Sequence, residues 1–279
     1  MIDTALGLGR SAWRTRGWGA ARSARATVLA GALLATLALA TTPARAAVLH
    51  VAVAANFLGT LHRLAEPYAL ASENTLSISA GSSGQLLAQI RQGAPFDLFF
   101  SADIDRPRQL ESQGLAVPGS EFTYAVGSLV LWSPHAGVIS DNSSVLQNGQ
   151  FQRLAIAAPA SAPYGAAAQQ VLTALGVWER LNQQHKIVVG ESITQTWQFA
   201  ASGNATLAFV ALAQVVDAQG HISGSSWAPP QNLYTPIAQD AVILKRTKEL
   251  SAAKNFEHWL RSSPEASRIL LAAGYRPGQ

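Results

Sequence analysis

Four short clusters of small and polar residues recur along this 279-residue sequence, each between an extended apolar run and a helical pattern. They are Ala54-Ala55-Asn56, Gly81-Ser82-Ser83-Gly84, Ser161-Ala162-Pro163-Tyr164-Gly165 and Gly190-Glu191-Ser192-Ile193, and none contains Lys or Arg. The chemistry open to such corners is capture of an anion by neutral donors. A helix N-terminus has backbone N–H groups without acceptors inside the helix, and the positive end of the helix dipole. Together these hold an anion with no basic side chain present. The Asn56 amide, the Ser82 or Ser83 hydroxyl, the Tyr164 phenol and the corner N–H groups are the candidate donors of an oxyanion site. Taken singly, each corner reads more simply as plain helix capping, because Asn and Ser are ordinary N-caps. Tyr164 departs from that reading, since a large ring stands where a small residue would suffice.

Other chemistries find less support. Asp97 and Asp103 are a possible carboxylate pair, but a buried strand-end aspartate and a helix cap account for them more simply. The six histidines (His50, His62, His135, His185, His221 and His258) show no i, i+4 pair and no metal-ligand spacing. No protein-bound metal and no cofactor are expected. A serine nucleophile at Ser83 lacks the Gly-x-Ser-x-Gly elbow and a base in a matching context, which leaves a secreted serine hydrolase as a distant alternative. With no cysteine, thiol catalysis, disulfides and thiolate zinc sites are excluded.

The elements that must position the corners alternate between strand and helix, which predicts an α/β fold. Strands are expected at Leu49–Ala54, Leu76–Ala80, Asp97–Ser101, Leu154–Ala158, Ile187–Val189 and Leu207–Val210, with one long apolar strand at Tyr124–Trp132. Helices are expected at Leu58–Leu70, Leu86–Gln92, Ala166–Leu175, Thr194–Ala201, Ser251–Arg261 and Pro264–Ala273. The polar, proline-bearing segment Gly220–Asn232 reads as a loop, and Tyr234–Leu244 as extended.

The net charge of +4 is not evenly spread. Arg10, Arg14, Arg16, Arg22, Arg25 and Arg45 precede residue 47 against the single acid Asp3, leaving 14 bases and 15 acids beyond. The basic character therefore belongs to the leader, and no nucleic-acid partner is expected. Residues 1–46 read as a signal peptide: arginines, then the 14-residue apolar run Thr27–Ala40, then Ala44-Arg45-Ala46, with the cut expected before Ala47. That run is short of the roughly 20 apolar residues that span a membrane. Secretion without a lipid-bearing cysteine fits a free periplasmic protein.

At the same corners the sequence resembles the periplasmic molybdate-binding proteins of bacterial ABC importers, across essentially all of residues 47–279. Val53-Ala54-Ala55-Asn56-Phe57 resembles the first-strand motif of that family, and Gly81-Ser82-Ser83-Gly84-Gln85-Leu86 its serine loop. The block from Gly93 to Asp103, GAPFDLFFSAD, is the most recognisable. Pro163-Tyr164-Gly165 and Glu191-Ser192-Ile193 fall at the third and fourth ligand loops. The resemblance implies a two-lobed, type II-like periplasmic binding protein, each lobe a mixed sheet flanked by helices with the ligand in the cleft. It implies lobe I over 47–127 plus 235–279 and lobe II over 128–234. It further implies molybdate or tungstate as ligand, with another tetrahedral oxyanion such as sulfate as the alternative. Asn56, Ser83, Tyr164 and Ile193 are the implied ligand-binding residues, the last through its backbone N–H. The partners would be a membrane permease and an ATPase, and the receptor a monomer. One departure stands out: Ala211, in Phe209-Val210-Ala211-Leu212, takes the place of a tyrosine found in some members, and Tyr164 is read as the relocated hydroxyl.

Overall fold

The structure, a computed structural model, describes residues 46–140, 142–217 and 219–278. The predicted leader, apart from Ala46, lies outside the described residues. The chain first lays down β1 (Val48–Ala54), α1 (Leu58–Ser72), β2 (Thr75–Gly81), α2 (Ser83–Arg91), β3 (Leu98–Phe100), α3 (Asp105–Ser112) and β4 (Phe122–Gly127). It then crosses to a second layer with β5 (Leu129–Ser133), α4 (Ser144–Asn148), β6 (Leu154–Ala157), α5 (Pro163–Ala174) and α6 (Trp178–Gln183). β7 (Ile187–Gly190), α7 (Ile193–Ala201), β8 (Leu207–Ala211) and β9 (Ser225–Trp227) complete that layer. β10 (Ile237–Ile243) returns, followed by α8 (Leu250–Ser262) and α9 (Pro264–Ala272).

Two five-stranded sheets result, ordered β2-β1-β3-β10-β4 and β7-β6-β8-β5-β9. Each is mixed in the same way. In the first, β1 runs parallel to β2 and β3 while β10 is antiparallel to β3 and β4. In the second, β6 runs parallel to β7 and β8 while β5 is antiparallel to β8 and β9. The parallel halves need helical crossovers, and every crossover begins at one of the four corners. This is the expected α/β architecture of two lobes, each a mixed sheet flanked by helices.

The expected single strand Tyr124–Trp132 is two strands. Val126 pairs with Ala238 in the first sheet, whereas Leu129 pairs with Ala211 in the second. Both halves are almost wholly buried, so an unbroken apolar run carries no mark of the sheet change. The expected loop Gly220–Asn232 contains β9, whose Trp227 pairs with Leu131 on β5. Its composition is polar because it is an edge strand. Helices α4 and α6 were not foreseen, and α3 only through the cap expected at Asp103; all three are short and carry few buried residues.

The first lobe's core contains an aromatic cluster. Phe57 lies 4.7 Å from Tyr124 and 5.4 Å from Tyr275 between ring centroids, and Phe100 lies 5.0 Å from Tyr124. Such pairs contribute about 0.5–1.5 kcal/mol each beyond the area they bury. β10 carries two polar residues through the apolar interior, Gln239 and Asp240, both buried, with a register irregularity between them. The Thr123 hydroxyl donates to Asp240 Oδ1 at 2.6 Å.

Burial pushes the Asp240 carboxyl up to about 6, with nearby Glu121 adding to the rise and the Thr123 hydrogen bond opposing it. The folded chain therefore binds this proton more tightly than the unfolded chain. Stability falls as pH rises from the ordinary value of 3.8 toward 6. In melts across pH 4–7, Asp240→Asn should gain on the parent chain as pH rises, by about 2–4 °C for each kcal/mol of difference. A difference that stays constant over this range would contradict the assignment.

Candidate functional site

Each corner is built by a local sequence device. After β2, Ser82 takes an extended backbone and caps α2: its hydroxyl oxygen accepts the Gln85 N–H at 3.4 Å, and Gln85 Oε1 accepts the Ser82 N–H at 3.3 Å. Ser192 caps α7 in the same manner, accepting the Gln195 N–H at 3.3 Å. Pro163 opens α5 at its first position, where its missing N–H costs nothing. Gly165 follows because a Cβ there would collide with the Ala157 carbonyl oxygen. The helices start one to three residues earlier than the sequence suggested, at Ser83, Pro163 and Ile193. Ser83, Tyr164 and Ile193 therefore sit in first turns, where N–H groups have no partner inside the helix.

Asn56, Ser83, Tyr164 and Ile193 line one cavity, together with small residues such as Ala102 and Ala162. All four are buried, and no charged residue is part of the lining. The cavity leaves about 10 Å³ for the centre of a water-sized sphere. With the sphere's own 1.4 Å added, that is a void of about 2.7 Å radius. It suits one small ion, not a sugar, peptide or nucleotide. Hydrogen bonds cross the cleft around it: Gly84 N–H to the Ser161 carbonyl at 2.9 Å, Arg106 Nη2 to the Ala160 carbonyl at 3.1 Å, the Thr194 hydroxyl to the Ala55 carbonyl at 3.4 Å, and Gln239 Nε2 to the Tyr164 oxygen at 3.5 Å.

The polar groups are committed so that donors remain. Ser83 Oγ accepts the Ala102 N–H at 2.9 Å, which leaves its hydrogen unspent. Asn56 presents itself differently from the sequence expectation. Its Nδ2 donates to Gln239 Oε1 at 2.7 Å and to the Tyr275 oxygen at 3.1 Å, so both side-chain hydrogens are used within the lobe. The Tyr275 hydroxyl donates in turn to the Asn56 carbonyl at 2.9 Å. What Asn56 offers is its backbone N–H. Among the described residues, the N–H groups of Asn56, Ser83, Tyr164 and Ile193 meet no acceptor. Burial pushes the Tyr164 phenol well above its ordinary value, with Tyr275 and Tyr234 adding and the Gln239 hydrogen bond opposing. Tyr164 thus stays a protonated donor at any physiological pH.

Ser82 and Ser192 cap their helices, and Ser82 also lines the cavity. Asp97 is a buried strand-end aspartate accepting the His50 N–H at 2.8 Å and the Thr247 hydroxyl at 2.7 Å. Asp103 accepts the Arg106 N–H at 3.1 Å at the start of α3 and pairs with the Arg106 guanidinium. Ala211 ends β8 outside the lining. Among the described residues no group of three His, Cys, Asp or Glu stands together, and no histidine or carboxylate bonds to Ser83. Sequence reasoning missed Gln239, Tyr124 and Tyr275. The signal was present for the first of these: Gln239-Asp240 interrupts an otherwise apolar strand, and a buried polar pair calls for partners.

Two sheets joined by crossing strands, with a small donor-lined cavity between their helix N-termini, define a two-lobed solute receptor. The chain belongs to the family of bacterial extracellular solute-binding proteins, whose profile matches residues 49–276. It is 47% identical over 251 residues to the molybdate-binding protein ModA of Rhodobacter capsulatus, covering 90% of this chain and 96% of that one. It is 45% identical over 232 residues to ModA of Azotobacter vinelandii, covering 83% and 91%. The solved periplasmic molybdate-binding protein of Azotobacter vinelandii superposes with a TM-score of 0.81 at 48% identity, over 83% of this chain and all of that one.

The place of Tyr164 depends on Gly127. A Cβ at Gly127 would collide with the Tyr164 oxygen and come within 2.7 Å of Gln239 Nε2. Gly127→Ala should destabilise the ligand-free protein by about 1–3 kcal/mol through overpacking. Combining it with Tyr164→Phe, which removes the colliding oxygen, should recover part of that loss. Denaturant unfolding of the four proteins tests this, and strictly additive losses would contradict the contact.

Proposed function

We propose that this protein is a periplasmic receptor that binds molybdate, and with it tungstate, and delivers it to the permease and ATPase of an ABC importer. The observation that carries the reading is the convergence of uncharged donors from four helix starts on one ion-sized cavity. Two relatives at 45–47% identity that are named molybdate-binding proteins support the same ligand. Asn56 and Ile193 would bind through backbone N–H groups, and Ser83 and Tyr164 through hydroxyl and N–H. Hydrogen bonds to a charged group are roughly twice as strong as neutral ones, and exclusion of water on closure strengthens them further. The receptor would work as a monomer, exported by the signal peptide with a cut before Ala47.

The lobes would be residues 47–127 plus 235–279 and residues 128–234, hinged where the chain crosses at Gly127 and Tyr234. Closure of this kind traps the ligand between lobes. Selectivity would rest on two properties of the cavity. Size would disfavour sulfate, a smaller tetrahedral dianion that leaves the donors under-engaged. The lack of a carboxylate in the lining would disfavour phosphate, whose bound proton calls for a strong acceptor. The nearest carboxylate considered for that role, Glu191, is exposed and outside the lining.

A thermal melt of residues 47–279 with molybdate, tungstate, sulfate or phosphate tests the reading. A ligand at 100 times its dissociation constant adds about 2.7 kcal/mol, or about 5–10 °C for a chain of this size. Molybdate and tungstate should give that shift and phosphate none. A shift with sulfate alone would keep the site and change its ligand, and no shift with any anion would sink the oxyanion reading. By calorimetry, Ser83→Ala and Tyr164→Phe should each weaken molybdate binding by about 1–3 kcal/mol. Unchanged affinity in either would remove that hydroxyl from the site.

A further inference from the structure

Gln239 lies in the middle of β10, the strand that brings the chain back to the first sheet, and its side chain has no solvent exposure. Its Oε1 accepts from Asn56 Nδ2 at 2.7 Å and from the Tyr124 hydroxyl at 3.1 Å. The Tyr275 hydrogen goes to the Asn56 carbonyl, so the Tyr275 oxygen accepts Asn56 Nδ2, and Gln239, which meets the same Nδ2, must present its oxygen there. That orientation turns Nε2 across the cleft, 3.5 Å from the Tyr164 oxygen. The neighbouring phenols are already committed: the Tyr124 hydroxyl also reaches the Ser101 carbonyl at 2.9 Å, and that of Tyr275 the Asn56 carbonyl.

A phenol has one hydrogen to give and lone pairs to receive with. Were Tyr164 to give its hydrogen to a protein acceptor, it would turn lone pairs toward the cavity and repel an anion. An N–H on its lone pair leaves the hydrogen for the ligand. At 3.5 Å the contact is at the long limit of a hydrogen bond, so in the free protein it orients the phenol more than it holds it. An anion drawing on the hydrogen makes the oxygen a better acceptor, and the contact strengthens as the ligand binds.

We infer that Gln239 is a positioning residue of the ligand site, setting the direction in which Tyr164 donates and linking the Asn56 corner of one lobe to the Tyr164 corner of the other. The inference rests on the oxyanion reading of the cavity. It is tested by a double-mutant cycle on molybdate affinity, measured by calorimetry for the parent chain, Gln239→Met, Tyr164→Phe and the pair. Gln239→Met should weaken binding about tenfold in the parent chain, and no more than about two- to threefold in the Tyr164→Phe background. A purely structural role would give the same loss in both backgrounds, and that result overturns the inference while leaving the receptor reading intact. If Gln239→Met does not fold by near-UV circular dichroism, Gln239→Glu supplies the same cycle. It keeps the oxygen that accepts from Asn56 and Tyr124 and replaces the one donor with an acceptor. Its charge acts on the anion in both backgrounds and drops out of the comparison. A Tyr164→Phe variant that binds as tightly as the parent overturns the inference and removes that hydroxyl from the site while leaving the receptor reading intact, whereas a parent chain that binds no molybdate overturns the underlying reading and the inference together.

Discussion

A dianion moved from water into a cavity without a basic side chain must recover its hydration from hydrogen bonds alone. Everything in this fold that touches the cleft is consistent with that constraint. Burying an ion without compensation costs far more than a domain's whole stability, so the donors must be many, close and already aimed. Helix starts satisfy all three conditions, because their N–H groups are fixed by the helix and have nowhere else to bond. The mixed sheets place two such starts on each side of the cleft, since every parallel pair needs a helical crossover.

Backbone donors can only point one way, but hydroxyls rotate. Here the rotation is limited from behind. The Ala102 N–H occupies the Ser83 oxygen, and Gln239 faces the oxygen of Tyr164. The aromatic cluster of Phe57, Phe100, Tyr124 and Tyr275 holds two further hydroxyls against Asn56 and Gln239. The core of the first lobe thereby extends its rigidity into the site. Gly127 contributes by absence, leaving the volume that the Tyr164 oxygen fills.

Much of this was legible in the sequence. The corners could be read because strand, small cluster and helix follow one another locally, and local order is what periodicity reports. Asn56, Tyr164 and a serine at Ser82 or Ser83 were named on that basis; the family resemblance singled out Ser83 and added Ile193, and these residues meet at one cavity. The use each makes of its atoms was not legible. That Asn56 spends its side chain inside the lobe depends on Gln239 and Tyr275, which lie 183 and 219 residues away in the chain. The break in Tyr124–Trp132 was hidden for a related reason. Both halves are buried on both faces, so hydrophobicity could not reveal that they belong to different sheets. β9 was missed because an edge strand of three residues carries too little pattern to rise above its polar surroundings.

The uncharged lining also bears on how fast an ion is caught. Electrostatic steering accelerates capture when a cleft concentrates opposite charge, and salt then slows it. No charged side chain in this lining produces such a field, the partial charges of the helix starts act only over about a turn, and residues 47–279 carry nearly balanced charge. Encounter is therefore left to ordinary diffusion and is largely indifferent to ionic strength. A receptor of this design sets its affinity almost wholly by how long the closed cleft keeps its ion. Capture would proceed at much the same rate in dilute and in saline surroundings.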